Sequence, residues 1–155
     1  MDGNLADKQQ ALTTGMAAEL ATVFSALLGS NAAAVASTGH VTPGWVIHCA
    51  LSGTVTGRIT LAVSDADAVT LARRLMGMDE DPPTDAVADT LAEVAGQASG
   101  GLGQQPIAAG AKIRVEGGPE HGGAPPSGSP SVFDIAMEDG TTLRVGCWAQ
   151  IDAPV

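Results

Sequence analysis

The chain is short of aromatic side chains: its 155 residues include two Trp, two Phe and no Tyr. That scarcity removes the aromatic lining an extended sugar cleft requires, and with it the case for glycosidase-type work by paired carboxylates. Positive charge is also scarce. Seven Lys and Arg stand against seventeen Asp and Glu, a formal net charge of −10. Such a surface repels phosphate backbones and anionic headgroups, so neither nucleic acid nor a membrane is an expected partner. Cysteine is limited to Cys49 and Cys147, far apart and each inside an apolar run. No CxxC motif exists, and the pair reads as buried free thiols or as a bridge between neighbouring strands. His40, His48 and His121 share no ligand spacing, so no metal site and no cofactor is expected in this chain. The P-loop, GxSxG and HExxH motifs are all absent, which removes the common nucleotide and hydrolase chemistries.

Long uninterrupted apolar runs are missing as well, those around Leu27 and Ala32 being broken by Gly, Ser and Asn. They fall short of the roughly 20 residues a bilayer span needs. The start, Met1-Asp2-Gly3-Asn4, is acidic where a signal peptide is basic. The cytoplasm is the expected compartment.

What is present is a 45% hydrophobic composition, enough for one real core at this length. Leu12, Met16, Leu20, Val23, Phe24 and Leu27 recur at helical intervals, which predicts a first helix over 8–28 that stops at Gly29. Runs 45–51 and 58–63 read as an antiparallel hairpin. Ser64 then caps a helix over 66–76 that ends at Gly77. After Pro82-Pro83, Thr84 is placed to cap a third helix whose Val87, Leu91, Val94, Ala95, Ala98 and Leu102 share one face. Beyond Pro106 the period becomes two, predicting strands at 112–115, 131–137 and 141–151 with Asp139-Gly140 as a turn. Residues 116–130, EGGPEHGGAPPSGSP, read as a mobile loop too poor in apolar side chains to order itself. The expected architecture is one α+β domain over 1–155, in the order α-β-β-α-α-β-β-β, with helices on a largely antiparallel sheet. In the final strand Trp148 alternates away from Leu143, Val145 and Cys147. It is therefore either an outward aromatic marking an interface or a core residue of a sheet covered on both faces.

The third helix carries the unusual feature. Opposite its apolar stripe lie Asp89, Glu93, Gly96, Gln97 and Gly100, with Ala92 at the margin. Acid, acid and amide ascend in successive turns, four residues apart. Each interior glycine costs about 1 kcal/mol relative to alanine, which something must offset. Two readings stand at this level: a solvated face whose small residues permit close packing inside the fold, or a surface that a partner approaches closely.

The run Gly57–Leu102 resembles the CheX branch of the CheC/CheX/FliY family of chemotaxis phosphatases. The likeness lies in a strand ending in Ser64, a helix closing on Leu75-Met76-Gly77-Met78, an acidic linker, and Ala95-Gly96-Gln97-Ala98 where the family tends to have Ala-Gly-Asn-Ala. Val23-Phe24 and the closing strands also fit. The resemblance implies a domain that meets a phosphorylated CheY-type response regulator and accelerates hydrolysis of its aspartyl phosphate. In the family an acid pairs with a lysine of the regulator, and an asparagine three residues later orients the attacking water. Registered on Ala95-Gly96, the acid falls on Asp89 and the asparagine position on Ala92, where the amide is missing. With Glu93 as the acid, Gly96 takes the amide position. Glu93 and Gln97, one turn apart, offer acid and amide at i,i+4 instead, although residue 97 lies about 80° round the helix from residue 89. Dimers occur in the family, so a homodimer is expected. Three readings follow: a phosphatase using Asp89, Glu93 and Gln97; a non-catalytic adaptor docking through Asp89, Ala92, Glu93, Gly96 and Gly100; or a homodimeric scaffold.

Overall fold

The computed structural model describes residues 2–108 and 110–152, with side chains from residue 5 onward. Helix α1 (Asp2–Leu28) leads into strands β1 (Ala32–Ala36), β2 (Trp45–Gly53) and β3 (Gly57–Val63). Helices α2 (Asp65–Met76) and α3 (Thr84–Gly103) follow, then a 3-10 turn (Pro106–Ala108) and strands β4 (Ala111–His121), β5 (Ser131–Met137) and β6 (Thr142–Ile151). The strands form one antiparallel sheet ordered β1-β5-β6-β3-β2-β4. The helices lie on one face of it, giving the expected single α+β domain.

Alternation along the strands builds the core. Trp45, Ile47, Cys49 and Leu51 of β2, Ile59 and Leu61 of β3, and Leu143, Val145 and Cys147 of β6 turn towards the helices and are buried. From above, α1 supplies Leu12, Met16, Leu20 and Phe24, none more than 6% exposed. Each such side chain contributes about 1.5–3 kcal/mol by leaving water. By length and composition, Leu5–Leu28 of α1 would suffice to cross a membrane, with mean hydropathy 1.5 over its most apolar window. This corrects the expectation that no apolar stretch reaches that length: Gly15 and the threonines lower the average, but the Ala, Leu, Val, Met and Phe around them outweigh that. Half of that window is buried inside the fold.

The boundaries of α2 follow local chemistry as expected. Ser64 Oγ accepts from Asp67 N at 3.1 Å, Gly77 closes the helix at φ +65°, and acids in the first turn and arginines in the last complement the macrodipole. Thr84 does not cap α3. Pro83 holds the N-cap position without a side-chain hydrogen bond, because the proline already fixes an extended entry and Thr84 is drawn into the first turn.

The sheet gains a strand that periodicity did not announce. β1 reads AAAVA, poor in strand formers and without alternation, yet it pairs with β5 from Ala32↔Met137 to Ala36↔Phe133. The element order is therefore α-β-β-β-α-α-β-β-β. The stretch 116–130 also divides. Residues 116–121 belong to β4, because β2 offers pairing as far as Trp45↔His121, and a bulge between Val46↔Glu120 and His48↔Glu116 absorbs two extra residues there. Gly117, at φ +61°, and Pro119, without a donor, fall in that bulge. The far end of β4 is clasped by His121, whose ring stacks on Trp45 at 4.5 Å while Nε2 lies 2.7 Å from Asp65 Oδ1. Only 122–130 remain as a strap between β4 and β5.

That strap decides the position of Trp148. The indole lies on the sheet face away from the helices, but it is only 9% exposed, packed with Val41, Val46 and Ala62, and its Nε1 donates to Gly128 O at 3.1 Å. The outward-interface reading is thus corrected: Trp148 anchors the strap. Cys49 and Cys147 are free and buried. β3 separates their strands and the register sets them two residues apart along it, Cys49 opposite Ile59 and Cys147 opposite Leu61, so their Cα atoms lie roughly 11–12 Å apart, beyond the reach of a disulfide. Burial pushes both thiols up from their ordinary range.

Gly57 opens β3 at φ +149°, and a Cβ there would drive into Gln150 O and meet Ile151 Cα at 2.9 Å. Gly57→Ala is expected to destabilise the protein by about 2–4 kcal/mol, read as a fall in the urea unfolding midpoint at unchanged slope.

Candidate functional site

Helix α3 packs against both α1 and the sheet, and this contact sets its rotation. Val87, Leu91, Val94, Ala95, Ala98 and Leu102 are buried as their spacing predicts. Thr90 and Ser99 are buried beside them, Thr90 Oγ1 donating to Ala86 O at 2.9 Å and Ser99 Oγ to Cys49 Sγ at 3.5 Å. Asp89, Glu93, Gly96, Gln97 and Gly100 consequently turn to solvent, and Ala92 is half-buried. The six residues singled out on sequence grounds therefore form one continuous strip.

The glycines separate the two readings left open above. A Cβ placed on Gly96 or Gly100 meets nothing within 4 Å. Neither glycine serves packing inside the fold, so the helix carries about 1 kcal/mol per position with no internal return. Gly101, next in sequence, behaves oppositely: a Cβ there would collide with the Glu19 carboxylate. Gln105 Nε2 holds that carboxylate at 2.7 Å and also donates to Gly15 O at 3.3 Å, tying α1 to the end of α3.

This adds a residue that sequence reading missed. Glu93, Gln97 and residue 101 fall one turn apart on one side of the helix. At the third turn the group presented is the carboxylate of Glu19, brought in from α1. The only sequence signal was the doubling of glycine at 100–101, which does not say what covers the second one.

Gln97 Nε2 donates to Glu93 Oε1 at 3.3 Å, so the acid and the amide are adjacent and partly satisfy each other. Three residues beyond Asp89 stands the methyl of Ala92, and three beyond Glu93 the bare Cα of Gly96. Chemically the strip presents carboxylates, one engaged amide and exposed backbone on an open helix face. It suits contact with a cationic, closely approaching surface better than chemistry in isolation, because nothing on it excludes water. Among the described residues, no three His, Cys, Asp or Glu side chains gather to hold a metal ion.

No family model matches the sequence, and no curated protein matches it. Solved structures do resemble it. The structure of the CheX–CheY–BeF3–Mg2+ complex from Borrelia burgdorferi contains a chain 18% identical, aligned over 89% of this chain and 97% of that one with a TM-score of 0.62. CheX from Vibrio vulnificus is 11% identical, over 90% and 96% of the two chains, with a TM-score of 0.63. FliY from Thermotoga maritima is 13% identical, over 91% and 88%, with a TM-score of 0.64. The chain thus has a CheC/CheX-like fold, as the resemblance over Gly57–Leu102 implied.

Because the space outside the two strip glycines is empty, Gly96→Ala and Gly100→Ala are each expected to raise stability by about 0.5–1 kcal/mol. Gly101→Ala, which must displace Glu19 from Gln105, is expected to lower it. Urea unfolding midpoints of the three variants check both signs.

Proposed function

We propose that this chain is a CheX-like docking domain for the receiver domain of a CheY-type response regulator, and that it engages the regulator through the exposed face of α3. The observation that carries the proposal is the pair Gly96 and Gly100, bare and unused by the fold, on the same face as Asp89 and Glu93. A partner helix or loop can approach that backbone closely, while the carboxylates pair with cations around it. The fold, shared with a CheX solved in a complex with CheY, supports the choice of partner.

Phosphoryl hydrolysis on a receiver depends on positioning a water and stabilising charge, which is the part an amide plays. Here Ala92 and Gly96 leave both i+3 positions without one. The leading reading is therefore an adaptor that binds the phosphorylated regulator without accelerating loss of its phosphate. A second reading rests on the Glu93–Gln97 hydrogen bond. In it the longer Gln97 side chain breaks from Glu93 on docking and takes the water-orienting part, with Glu93 as the acid and Asp89 beside it.

The test incubates the protein with phosphorylated receiver domains from its own genome and measures complex formation and phosphate release together. Binding with unchanged release is expected. Asp89→Ala and Glu93→Ala should each weaken binding about three- to tenfold at low salt, and less at 0.5 M salt. Accelerated release that disappears in Gln97→Ala would establish the second reading, and binding to no receiver would defeat both. Installing the missing amide extends the test. Gly96→Asn or Ala92→Asn should confer faster release on whichever position faces the phosphoryl group, measured as phosphate freed per unit time.

A further inference from the structure

A cleft of about 280 Å³ lies at the opposite end of α1 from the strip's acidic start, between the first turns of that helix, the strap and the end of β6. It forms where the sheet is incomplete. The β5–β6 ladder ends at Ser131↔Cys147, so β6 runs on without a strand opposite it. On that open edge the Ile151 N–H is taken by Gln9 Oε1 at 3.1 Å. Ala149, two residues before it and two after Cys147, faces the same side by strand alternation, and its N–H and C=O open onto the cleft. Ser127 and Ser129 of the strap form one wall, and Trp148 and Gln150 contribute from β6.

The lining is unusual in this chain for its charge. Among the described residues that line the cleft there is no Asp, Glu, Lys or Arg. Its polar groups are amides, hydroxyls and one backbone unit. Within the protein, Gln10 Oε1 accepts from Ser131 Oγ at 3.2 Å, and Thr13 Oγ1 donates to Ser131 Oγ at 3.4 Å. The Gln9 amide N–H groups, Gln150 and the two strap serines are left to meet whatever enters.

We infer that this cleft is a binding site for a small neutral polyhydroxylated molecule, a polyol or single monosaccharide. Hydroxyl groups both donate and accept, which matches a lining that offers the Ala149 N–H beside its C=O and amides beside serines. An ion is disfavoured because the described lining offers no opposite charge to offset its desolvation. A peptide adding as a strand is disfavoured because the open edge is a single residue long between the end of β5 and Gln9. The volume is at the small end for ligand pockets, so one ring fits and an extended chain does not. One indole edge can serve a single ring, whereas an extended sugar cleft needs several aromatics.

The site is tested by titrating the 15N-labelled protein with D-glucose, D-galactose and myo-inositol, with glucose 6-phosphate and glucosamine as charged counterparts. At least one neutral compound should saturate with a Kd below about 10 mM, shifting the Ala149 amide, the Trp148 indole and the Gln9 side-chain resonances together. Its charged counterparts should bind at least tenfold more weakly. Gln150→Ala, which breaks no internal hydrogen bond, should weaken binding about three- to tenfold with an otherwise unchanged spectrum, and Ser129→Ala should act in the same direction. Linear, non-saturating shifts with all three neutral compounds would overturn the inference. So would equal binding of the charged forms, or saturable shifts confined to residues away from the cleft.

Discussion

The seam along which α3 buries Leu91, Val94, Ala98 and Leu102 against α1 and the sheet governs the rest of the molecule. A helix pinned along one stripe has no freedom to rotate, so the azimuth of every other residue on it follows. Asp89, Glu93 and Gln97 become solvent-facing because Leu91, Val94 and Ala98 cannot be. The same seam brings Glu19 over Gly101, where Gln105 fixes it at 2.7 Å, so α1 lends a carboxylate to the turn that follows Gln97. Core packing and surface chemistry are in this sense one constraint read from its two sides.

Glycine shows how differently the same residue is used along one helix. At Gly101 the missing Cβ is filled by a neighbour and the fold requires it. At Gly96 and Gly100 it is filled by nothing, and the helix bears the entropic cost of two flexible positions with no internal compensation. An expense of that kind is characteristic of surfaces shaped for something outside the chain. The proposed contact with a receiver domain rests on that asymmetry more than on the acids, which a solvated helix would carry anyway.

The outer face of the sheet is organised by a different device. The strap over 122–130 has no apolar side chain larger than proline, yet it shields an otherwise bare aromatic, held by the hydrogen bond from Trp148 Nε1 to Gly128 O. Its entry is held by His121 between Trp45 and Asp65. Because β5 begins only at Ser131, the strap also leaves a notch in the sheet edge, lined by groups that a strand would otherwise have covered.

Sequence alone determined the elements whose signals are local. The apolar spacing of α1, α2 and α3, the Ser64 and Gly77 caps, the β2–β3 hairpin, the Asp139-Gly140 turn and the composition of the α3 strip all arise within a few residues of chain, where dihedral preference and side-chain period act directly. Tertiary structure decided what depends on a distant partner. β1 is a strand because β5 offers it an edge, not because alanine favours one. Residues 116–121 join β4 because β2 extends far enough to receive them across a bulge. Trp148 is inside because a strap beginning some twenty-five residues earlier lies over it. Gly100 and Gly101, indistinguishable as letters, part company only when α1 delivers Glu19. In each case the deciding energy is a contact between segments far apart in sequence, and no local pattern encodes which segment will arrive.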